Sequence, residues 1–262
     1  MSFFTLSDIG RIRSNNEDFA ESFSLKLQKA DGSSEEVTEL ILADGMGGGP
    51  AGECASQLAV STIKQSFLSD YAAKSRQFTP DEYLELLDKH IQKAQLNIYK
   101  AGIEDPNLNG MGTTIVVGIV FNEYLSLLHV GDSRAYVFNG NSLIPQTKDH
   151  SLVQQYVDEG KITPEEAFCH PQRNIITRVL GAGSGAPVKA DKRIVQLEKG
   201  DLVLFCTDGL CGTIEDNELQ EVLTKYYNKE NTDLKTMANA LIQAACSKGG
   251  SDNITVVLYQ YL

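Results

Sequence analysis

Short apolar runs separated by Gly, Asp and Asn recur along the chain, and this pattern is typical of buried strands. The predicted strands lie at 3–9, 17–28, the run ending at 44, 113–121, 124–130, 134–138, 141–145, 193–197, 201–206 and 253–260. Asn139-Gly140 is a two-residue hairpin signal between the strands at 134–138 and 141–145. Strands joined by hairpins pair antiparallel, so we expect antiparallel sheets.

Apolar positions three and four residues apart predict the helices. The first covers Ala51 to Phe67. The second begins with Thr79 as N-cap, Pro80 at the first position and Glu82 closing a capping box, and we expect Gly102 to end it. Further helices are expected at 151–159, from 163 onward, at 215–226 and at 232–247.

The order of these elements favours one architecture. Strands come in long runs with helix pairs between them, and few strand–helix–strand alternations occur. This order predicts an α+β fold with a central antiparallel β-sandwich flanked by helix pairs, in four layers α-β-β-α. No linker or repeat divides residues 1–262, so we expect a single domain. Residues 145–185 carry their own helix caps and interrupt the strand pattern, which indicates an inserted flap.

The composition of the chain argues against nucleic acid, membranes and clustered zinc as partners. The chain has 262 residues, 42% of them hydrophobic, and a net charge of −12, which opposes binding to nucleic acid. No apolar stretch reaches 18 residues, and the N-terminus lacks the pattern of a signal peptide, so we expect no membrane association and a cytoplasmic location. Five cysteines without CxxC spacing and four scattered histidines argue against a zinc cluster.

Acidic residues stand where the apolar runs stop. Asp44, Asp132 and Asp208 follow such runs, Asp252 precedes one, and Asp18 begins another. Strands of one sheet end along a common edge, and clustered carboxylates repel one another unless cations neutralise them. Mg²⁺ and Mn²⁺ prefer such oxygen ligands. A single Asp-Gly pair is equally well explained as a turn, but five acidic sites together predict a metal centre.

A glycine-rich stretch follows the third strand. Residues 47–52 match G-x-G-x-x-G, but a dinucleotide site needs an acidic residue about 20 positions on, at the end of the next strand. Asp70 falls at the end of a helix instead, so we do not favour a nucleotide site. The glycines allow the backbone to approach a ligand closely, and the carbonyl of Gly45 is a candidate metal ligand beside Asp44.

Two arginines have competing interpretations. Arg13 lies five residues before Asp18 and could bind a phosphate bidentately, or it could be an exposed loop arginine. Arg134 follows Asp132 closely, so a structural salt bridge between them is the alternative to a metal role for Asp132.

Seven motifs, taken in order, resemble the type 2C metal-dependent serine/threonine protein phosphatases. They are G-x-x-R-x-x-N-E-D at 10–18, D-G-M-G-G at 44–48, G-T-T at 112–114, V-G-D-S-R at 130–134, K-D-H-S at 148–151, T-D-G-L at 207–210 and G-S-D-N-I at 250–254. The ordered set covers nearly the whole chain and is far more specific than any one motif. The resemblance implies a β-sandwich with a binuclear Mn²⁺ or Mg²⁺ centre at one end and a mobile flap.

The resemblance also implies a role for each matching residue. Asp44 would bridge both metals, and Asp208 and Asp252 would complete the first, so Asp44 and Asp208 are the predicted catalytic residues. Asp18 and the Gly45 carbonyl would lie around the second metal, partly through water. A water bridging the two metals would attack the phosphorus of phosphoserine or phosphothreonine.

The resemblance also concerns the residues that bind the substrate phosphate and protonate the leaving group. Arg13 would hold the phosphate, and Asp132 with Asp208 would bind a third, looser metal. Met46 stands where eukaryotic relatives have a histidine that is thought to protonate the leaving alkoxide. A thioether cannot donate a proton, so this departure indicates a bacterial-type enzyme and leaves the general acid open.

The implied partners are phosphorylated proteins, including a serine/threonine protein kinase and its substrates, and the implied state is a monomer. One alternative is another binuclear-metal phosphomonoesterase or a phosphodiesterase, which activity on phosphopeptides against nucleotides would distinguish. A second is a non-catalytic phosphoprotein-binding module. Such a module usually loses metal carboxylates, whereas Asp18, Asp44, Asp208 and Asp252 are all present.

Overall fold

The computed structural model describes residues 2–28, 34–47, 50–73, 78–183 and 185–262. Its strands are β1 Phe3–Asp8, β2 Asp18–Gln28, β3 Ser34–Met46, β4 Gly112–Thr113, β5 Ile115–Phe121, β6 Tyr124–Val130, β7 Arg134–Phe138, β8 Leu143–Pro145, β9 Asp191–Gln196, β10 Leu202–Cys206 and β11 Ile254–Gln260. Its α-helices are α1 Pro50–Ala73, α2 Pro80–Glu104, α3 Leu152–Asp158, α4 Pro164–Phe168, α5 Asp208–Cys211, α6 Asp216–Tyr226 and α7 Leu234–Ser247. A 3₁₀ turn covers Pro106–Leu108.

Two antiparallel sheets pack face to face. The first has the order β1-β11-β10-β7-β8, and the second has the order β2-β3-β5-β6-β9, with β4 pairing with the end of β3. Side chains such as Leu40, Val116 and Phe205 fill the space between the sheets. Helices α1 and α2 cover the second sheet, and α5, α6 and α7 cover the first. The predicted α+β class with four layers is therefore confirmed.

Strand β3 shows why the sequence reads as a continuous apolar run. Leu40 and Leu42 face the other sheet, whereas Val37 and Ile41 face α1 and α2. Both faces of the strand are buried, so alternation between apolar and polar residues is lost over its central part.

Element bounds differ from the predictions in several places, most clearly at the ends of two helices. Helix α1 continues six residues beyond Phe67, to Ala73. The expected end of α2 at Gly102 is wrong, because the helix runs to Glu104 and is capped at Asp105. Pro106 ends the helix: a residue before proline is disfavoured in helical conformation, and Asp105 is extended, with φ −118° and ψ 112°. The predicted capping box at Thr79 is present, and Thr163 forms a second one at the start of α4.

Residues 146–190 leave the first sheet after β8 and return to the second sheet at β9. We call them the β8–β9 segment; they contain α3 and α4. Short antiparallel bridges tie the two limbs of the segment together at Ser151 and Ile176, and tie it to β4 at Thr113 and Leu180. In the described part of the chain, no helix combines the length and the apolar character that a membrane crossing requires.

Glu39 is a polar exception inside the helix–sheet core. It lies between Val37 and Ile41 on the same face of β3, its side chain is 0% exposed, and neither carboxylate oxygen has a hydrogen-bond partner among the described residues. Burial raises its pKa well above the ordinary value of 4.5, with the charge of Glu21 adding to the effect. The protonated form is therefore the one that the fold accommodates.

Replacing Glu39 should stabilise the protein at neutral and higher pH. The folded state holds the proton more tightly than the unfolded state, so the contribution of Glu39 to stability is most favourable below pH 4.5 and is lost as pH rises. We expect Glu39→Met to raise the free energy of unfolding by about 1–3 kcal/mol at pH 8 and by less at pH 5. Urea unfolding of variant and wild type at both pH values measures this. An equal effect at both would show that ionisation of Glu39 plays no part.

Candidate functional site

The register of the strands gathers the predicted aspartates at one end of the sandwich. Asp18 at the start of β2 is the direct partner of Asp44 near the end of β3. Strands β10 and β11 are antiparallel neighbours, so Asp208 after one lies beside Asp252 before the other. Asp132 follows β6 at the same end, and its charge acts on Asp44.

Two threonines fix the orientation of Asp18. The hydroxyls of Thr207 and Thr255 donate to its Oδ2, at 2.9 and 2.7 Å, whereas its Oδ1 is buried without a hydrogen-bond partner among the described residues. Neither threonine was given a role from the sequence. Thr207 directly precedes Asp208, whereas Thr255 lies three residues after Asp252, and only the pairing of β10 with β11 brings both hydroxyls to one oxygen.

The electrostatics of the cluster suit cations. Burial, with the charge of neighbouring carboxylates added, raises the pKa of Asp18 to about 7 and that of Asp208 to about 6. The same causes place the pKa of Asp44 and Asp132 well above the usual range. Orphaned, buried carboxylate oxygens that repel one another are the donor set that hard divalent cations neutralise. The residues present therefore fit Mg²⁺ or Mn²⁺.

Gly45 lies where a side chain would not fit. Its N–H donates to the carbonyl of Glu17 at 3.1 Å, and a Cβ at this position would lie 2.1 Å from the carbonyl oxygen of Gly52. The glycines therefore let β3, the loop before β2 and the start of α1 approach closely beside Asp44. Two glycines of the same stretch, Gly48 and Gly49, lie outside the described residues. The chain continues from α1 into α2 rather than into a strand, which is not the order of a dinucleotide-binding unit.

Arg13 contacts the aspartate cluster. Its Nη2 donates to Oδ2 of Asp252 at 2.8 Å, and the two side chains are 50% and 34% exposed. This ion pair, which the sequence analysis did not predict, places a guanidinium at the solvent-facing edge of the carboxylates. The hydrogen bond to Asp252 raises the pKa of Arg13, so the side chain is charged.

Arg134 does not form the salt bridge considered for it. Its Nε and Nη2 donate to the two oxygens of Asp149, at 2.9 and 2.8 Å, in a bidentate pair. Oδ1 of Asp132 is buried and has no hydrogen-bond partner among the described residues. The salt-bridge alternative for Asp132 is therefore wrong, and its carboxylate remains available to a cation.

Asn253 is a second residue whose role the sequence analysis missed. Its Oδ1 accepts the N–H of Glu17 at 2.8 Å, and its Nδ2 donates to the carbonyls of Ile9 and Asn15, at 3.0 and 2.9 Å. One side chain therefore fastens the loop that carries Arg13 to the start of β11. The sequence showed it only as part of a motif, because its partners lie more than 230 positions away.

A groove of 590 Å³ leads away from the cluster toward the β8–β9 segment. Asp132, Asp208 and Asp252 line one end, and Val157 and Phe168 are among the apolar residues at the other. None of the described histidines lines this groove. A substrate in the groove would therefore contact both the carboxylates and the segment predicted to be a flap.

A second group of candidate ligands lies outside the residues that line the groove. Atoms of His129, His150 and Asp191 lie within 4.8 Å of one another, although the histidines are scattered in sequence. The guanidinium of Arg178 already fills this position, with Nη1 2.7 Å from Nε2 of His150 and 2.8 Å from Oδ1 of Asp191. A side-chain cation thus stands where a metal ion would bind.

Comparison with known proteins decides the family. The family model described as Protein phosphatase 2C matches residues 26–245, most of the chain. The chain belongs to the protein phosphatase 2C family. This phosphatase is 35% identical over 254 residues to the serine/threonine phosphatase Stp of Listeria welshimeri, covering 97% of this chain and 93% of that relative. It is 33% identical over 258 residues to the protein phosphatase PhpP of Streptococcus pneumoniae, covering 98% and 96%.

Solved structures agree with this assignment. The catalytic domain of the serine/threonine protein phosphatase PstP, in complex with two manganese ions, matches with a TM-score of 0.79 and 32% identity, over 98% of this chain and 96% of that one. The protein described above is therefore an enzyme of the serine/threonine phosphatase class, and its family is metal-dependent. This confirms the predicted family and activity.

Without divalent cations, this phosphatase should lose stability as pH rises. Its buried carboxylates have raised pKa values in the folded state, so their contribution is most favourable below the ordinary pKa of 3.8 and is lost as pH rises through about 6 to 7. Urea unfolding in a chelator from pH 5 to pH 8 measures this. Asp208→Asn should flatten the slope. A chelated wild type that grows more stable over this range would contradict it.

Proposed function

We propose that this phosphatase hydrolyses phosphoserine and phosphothreonine in proteins at the aspartate cluster, with Mn²⁺ or Mg²⁺ as cofactor. Asp44, Asp208 and Asp252 would hold one cation, and Asp18 with the Gly45 carbonyl would lie around a second. The observation that carries the proposal is a set of buried, mutually repelling carboxylates directly beside a charged, half-exposed arginine. When bound, such cations acidify water and offset the charge of the phosphate.

Other residues of the chain would orient the carboxylates and bind the substrate phosphate. Thr207 and Thr255 hold one oxygen of Asp18, so the other keeps a fixed direction. Arg13 is within reach of a phosphate at the cluster because it already contacts Asp252 there. A phosphate oxygen would compete for this guanidinium, and cations that neutralise Asp252 would favour the exchange.

Neither Met46 nor a histidine is suited to protonate the leaving group. Met46 cannot donate a proton, and no described histidine lines the groove. Asp132 is buried, and its Oδ1 has no hydrogen-bond partner among the described residues, so it is the group best placed to hold a third, looser cation together with Asp208. We therefore assign Asp132 a role in this last part of the reaction.

The β8–β9 segment would select substrates. It forms the far side of the groove and carries apolar side chains there, so it would contact residues that flank the phosphorylated one. Phosphorylated proteins, including a serine/threonine protein kinase and its substrates, are the proposed partners. The monomeric state and the cytoplasmic location stay predictions of the sequence.

Turnover of a phosphothreonine peptide should depend completely on Mn²⁺ or Mg²⁺. Without them no nucleophile is generated at the cluster, and the carboxylates would repel the substrate phosphate. Phosphate release with and without added Mn²⁺, after chelation confirmed by elemental analysis, measures this. Hydrolysis of nucleotide monoesters or diesters in preference to the phosphopeptide would favour the other class of binuclear hydrolase. Turnover of the phosphopeptide by the metal-free enzyme would contradict the proposal.

Arg13→Ala should raise KM for phosphopeptides about ten- to a hundredfold, because the lost contact is a charge-assisted hydrogen bond to phosphate. Steady-state kinetics at saturating Mn²⁺ measure this. Arg11→Ala is the matched control, since Arg11 is a neighbouring exposed arginine whose charge no described ion pair uses. Equal effects of the two substitutions would show that only the local charge matters. Unchanged kinetics in Arg13→Ala would remove Arg13 from the site.

A further inference from the structure

His150 connects two parts of the molecule that the proposed reaction uses separately. It lies at the start of the β8–β9 segment, and its side chain is buried. On one side it contacts the loop that carries Asp132, and on the other it contacts the returning limb of the segment.

On the loop side, His150 binds both backbone groups of Gly131, the residue before Asp132. The backbone N–H of His150 donates to the carbonyl of Gly131 at 2.9 Å, and its ring Nδ1 accepts the backbone N–H of Gly131 at 3.0 Å. Gly131 has a φ of +114°, and a Cβ there would lie 2.6 Å from the side chain of Thr114. Thr114 therefore leaves no room for a side chain at this position, and His150 holds the glycine backbone through two hydrogen bonds.

On the segment side, His150 contacts the limb that returns to β9. Its carbonyl accepts the N–H of Thr177 at 2.7 Å, and its Nε2 lies 2.7 Å from Nη1 of Arg178. Arg178 donates from the same nitrogen to Oδ1 of Asp191 and to the carbonyl of Lys189, at 2.8 and 3.0 Å. The returning limb is thus fastened to the backbone of His150 by Thr177 and to the start of β9 by Arg178.

The two ring nitrogens of a neutral imidazole cannot both accept hydrogen bonds, because one of them carries the N–H. Nδ1 accepts the N–H of Gly131, so Nε2 carries the proton and faces Oδ2 of Asp191 at 3.4 Å. The guanidinium of Arg178 can only donate, so in this tautomer it acts on the ring through Asp191, whose Oδ1 it binds at 2.8 Å, and not through a hydrogen bond to Nε2. The ring of His150 stacks on the ring of His129, with the two ring centroids 4.6 Å apart and an interplanar angle of 7°. This stacking fixes the plane of the His150 ring. A shift of Arg178 and Asp191 would therefore rotate or displace the acceptor that holds Gly131.

We propose that His150 is a positioning residue through which the β8–β9 segment sets the placement of the Gly131–Asp132 loop. The position of the segment over the groove and the direction of the Asp132 carboxylate would then change together. The consequence for cation binding rests on the role proposed above for Asp132, whereas the mechanical coupling does not. A substrate that moves the segment would in this way adjust the carboxylate set beneath it.

Hydrogen exchange of residues 128–134, followed by mass spectrometry in the Mn²⁺-loaded phosphatase, tests the coupling. Arg178→Ala removes no contact of Gly131 itself, yet we expect it to speed exchange of this segment about five- to tenfold, the equivalent of one net hydrogen bond. Lys192→Ala is the matched control, because the 2.7 Å ion pair of Lys192 with Asp88 joins β9 to α2 instead. Unchanged exchange at 128–134 in Arg178→Ala, or faster exchange over the whole chain, would overturn the coupling.

Two substitutions of His150 separate its two sides. Asparagine keeps an acceptor near the position of Nδ1, whereas glutamine reaches toward the position of Nε2. We expect His150→Asn to keep the protection of residues 128–134 and to make it insensitive to Arg178→Ala. His150→Gln should lose the protection. Equal exchange in the two variants, with Tm values showing both folded, would contradict a directional role for the ring.

Asp132→Ala distinguishes failure of the coupling from failure of the proposed function. If Mn²⁺ titration shows that this variant binds as many ions as the wild type, Asp132 is no ligand, and the exchange experiments still decide the coupling. If the variant loses a weakly bound Mn²⁺, the coupling further predicts that Arg178→Ala weakens the same ion about five- to tenfold. An unchanged affinity for that ion in Arg178→Ala would refute this part.

Discussion

Burial of several carboxylates at one edge of a β-sandwich is the constraint on which the rest of this phosphatase depends. Desolvation and mutual repulsion raise the pKa of Asp18, Asp44 and Asp208, so the metal-free edge disfavours the charged state that the chemistry needs. A family that relies on divalent cations resolves this conflict, because the cations supply the missing positive charge. The same repulsion that costs stability therefore creates affinity for metal.

The sandwich keeps this unfavourable arrangement in place. Three separate apolar clusters, one between the sheets and one under each helix layer, hold the strands rigidly enough for their ends to coincide. Hydrogen bonds from Thr207 and Thr255 then compensate Asp18 in part, by lowering a pKa that burial raises. Glu39 shows the contrasting case inside the core, since no described residue donates a hydrogen bond to either of its carboxylate oxygens. The charge of Lys64 lowers its pKa, but burial outweighs this effect, so Glu39 is neutralised by a proton.

In the proposed function, the groove and the β8–β9 segment adapt the metal site to protein substrates. Small phosphate esters would need only the carboxylate edge and Arg13, whereas a phosphoprotein would also lie between the segment and α5, both of which line the groove. A connection through His150 would make the two parts respond to each other. Placement of a catalytic carboxylate could then depend on whether a protein substrate occupies the groove.

Local patterns in the sequence predict the architecture and the residue types of the site. Apolar runs, capping boxes and hairpin signals are local, and each strand-end aspartate is visible beside its own run. The partners of these residues depend on how the chain folds. Arg13 with Asp252, Arg134 with Asp149, and two threonines on one oxygen of Asp18 join residues from different strands and loops. Arg134 illustrates the physical reason: the nearest acidic residue in sequence is Asp132, but sheet register and loop path, which local patterns do not encode, direct its guanidinium to Asp149.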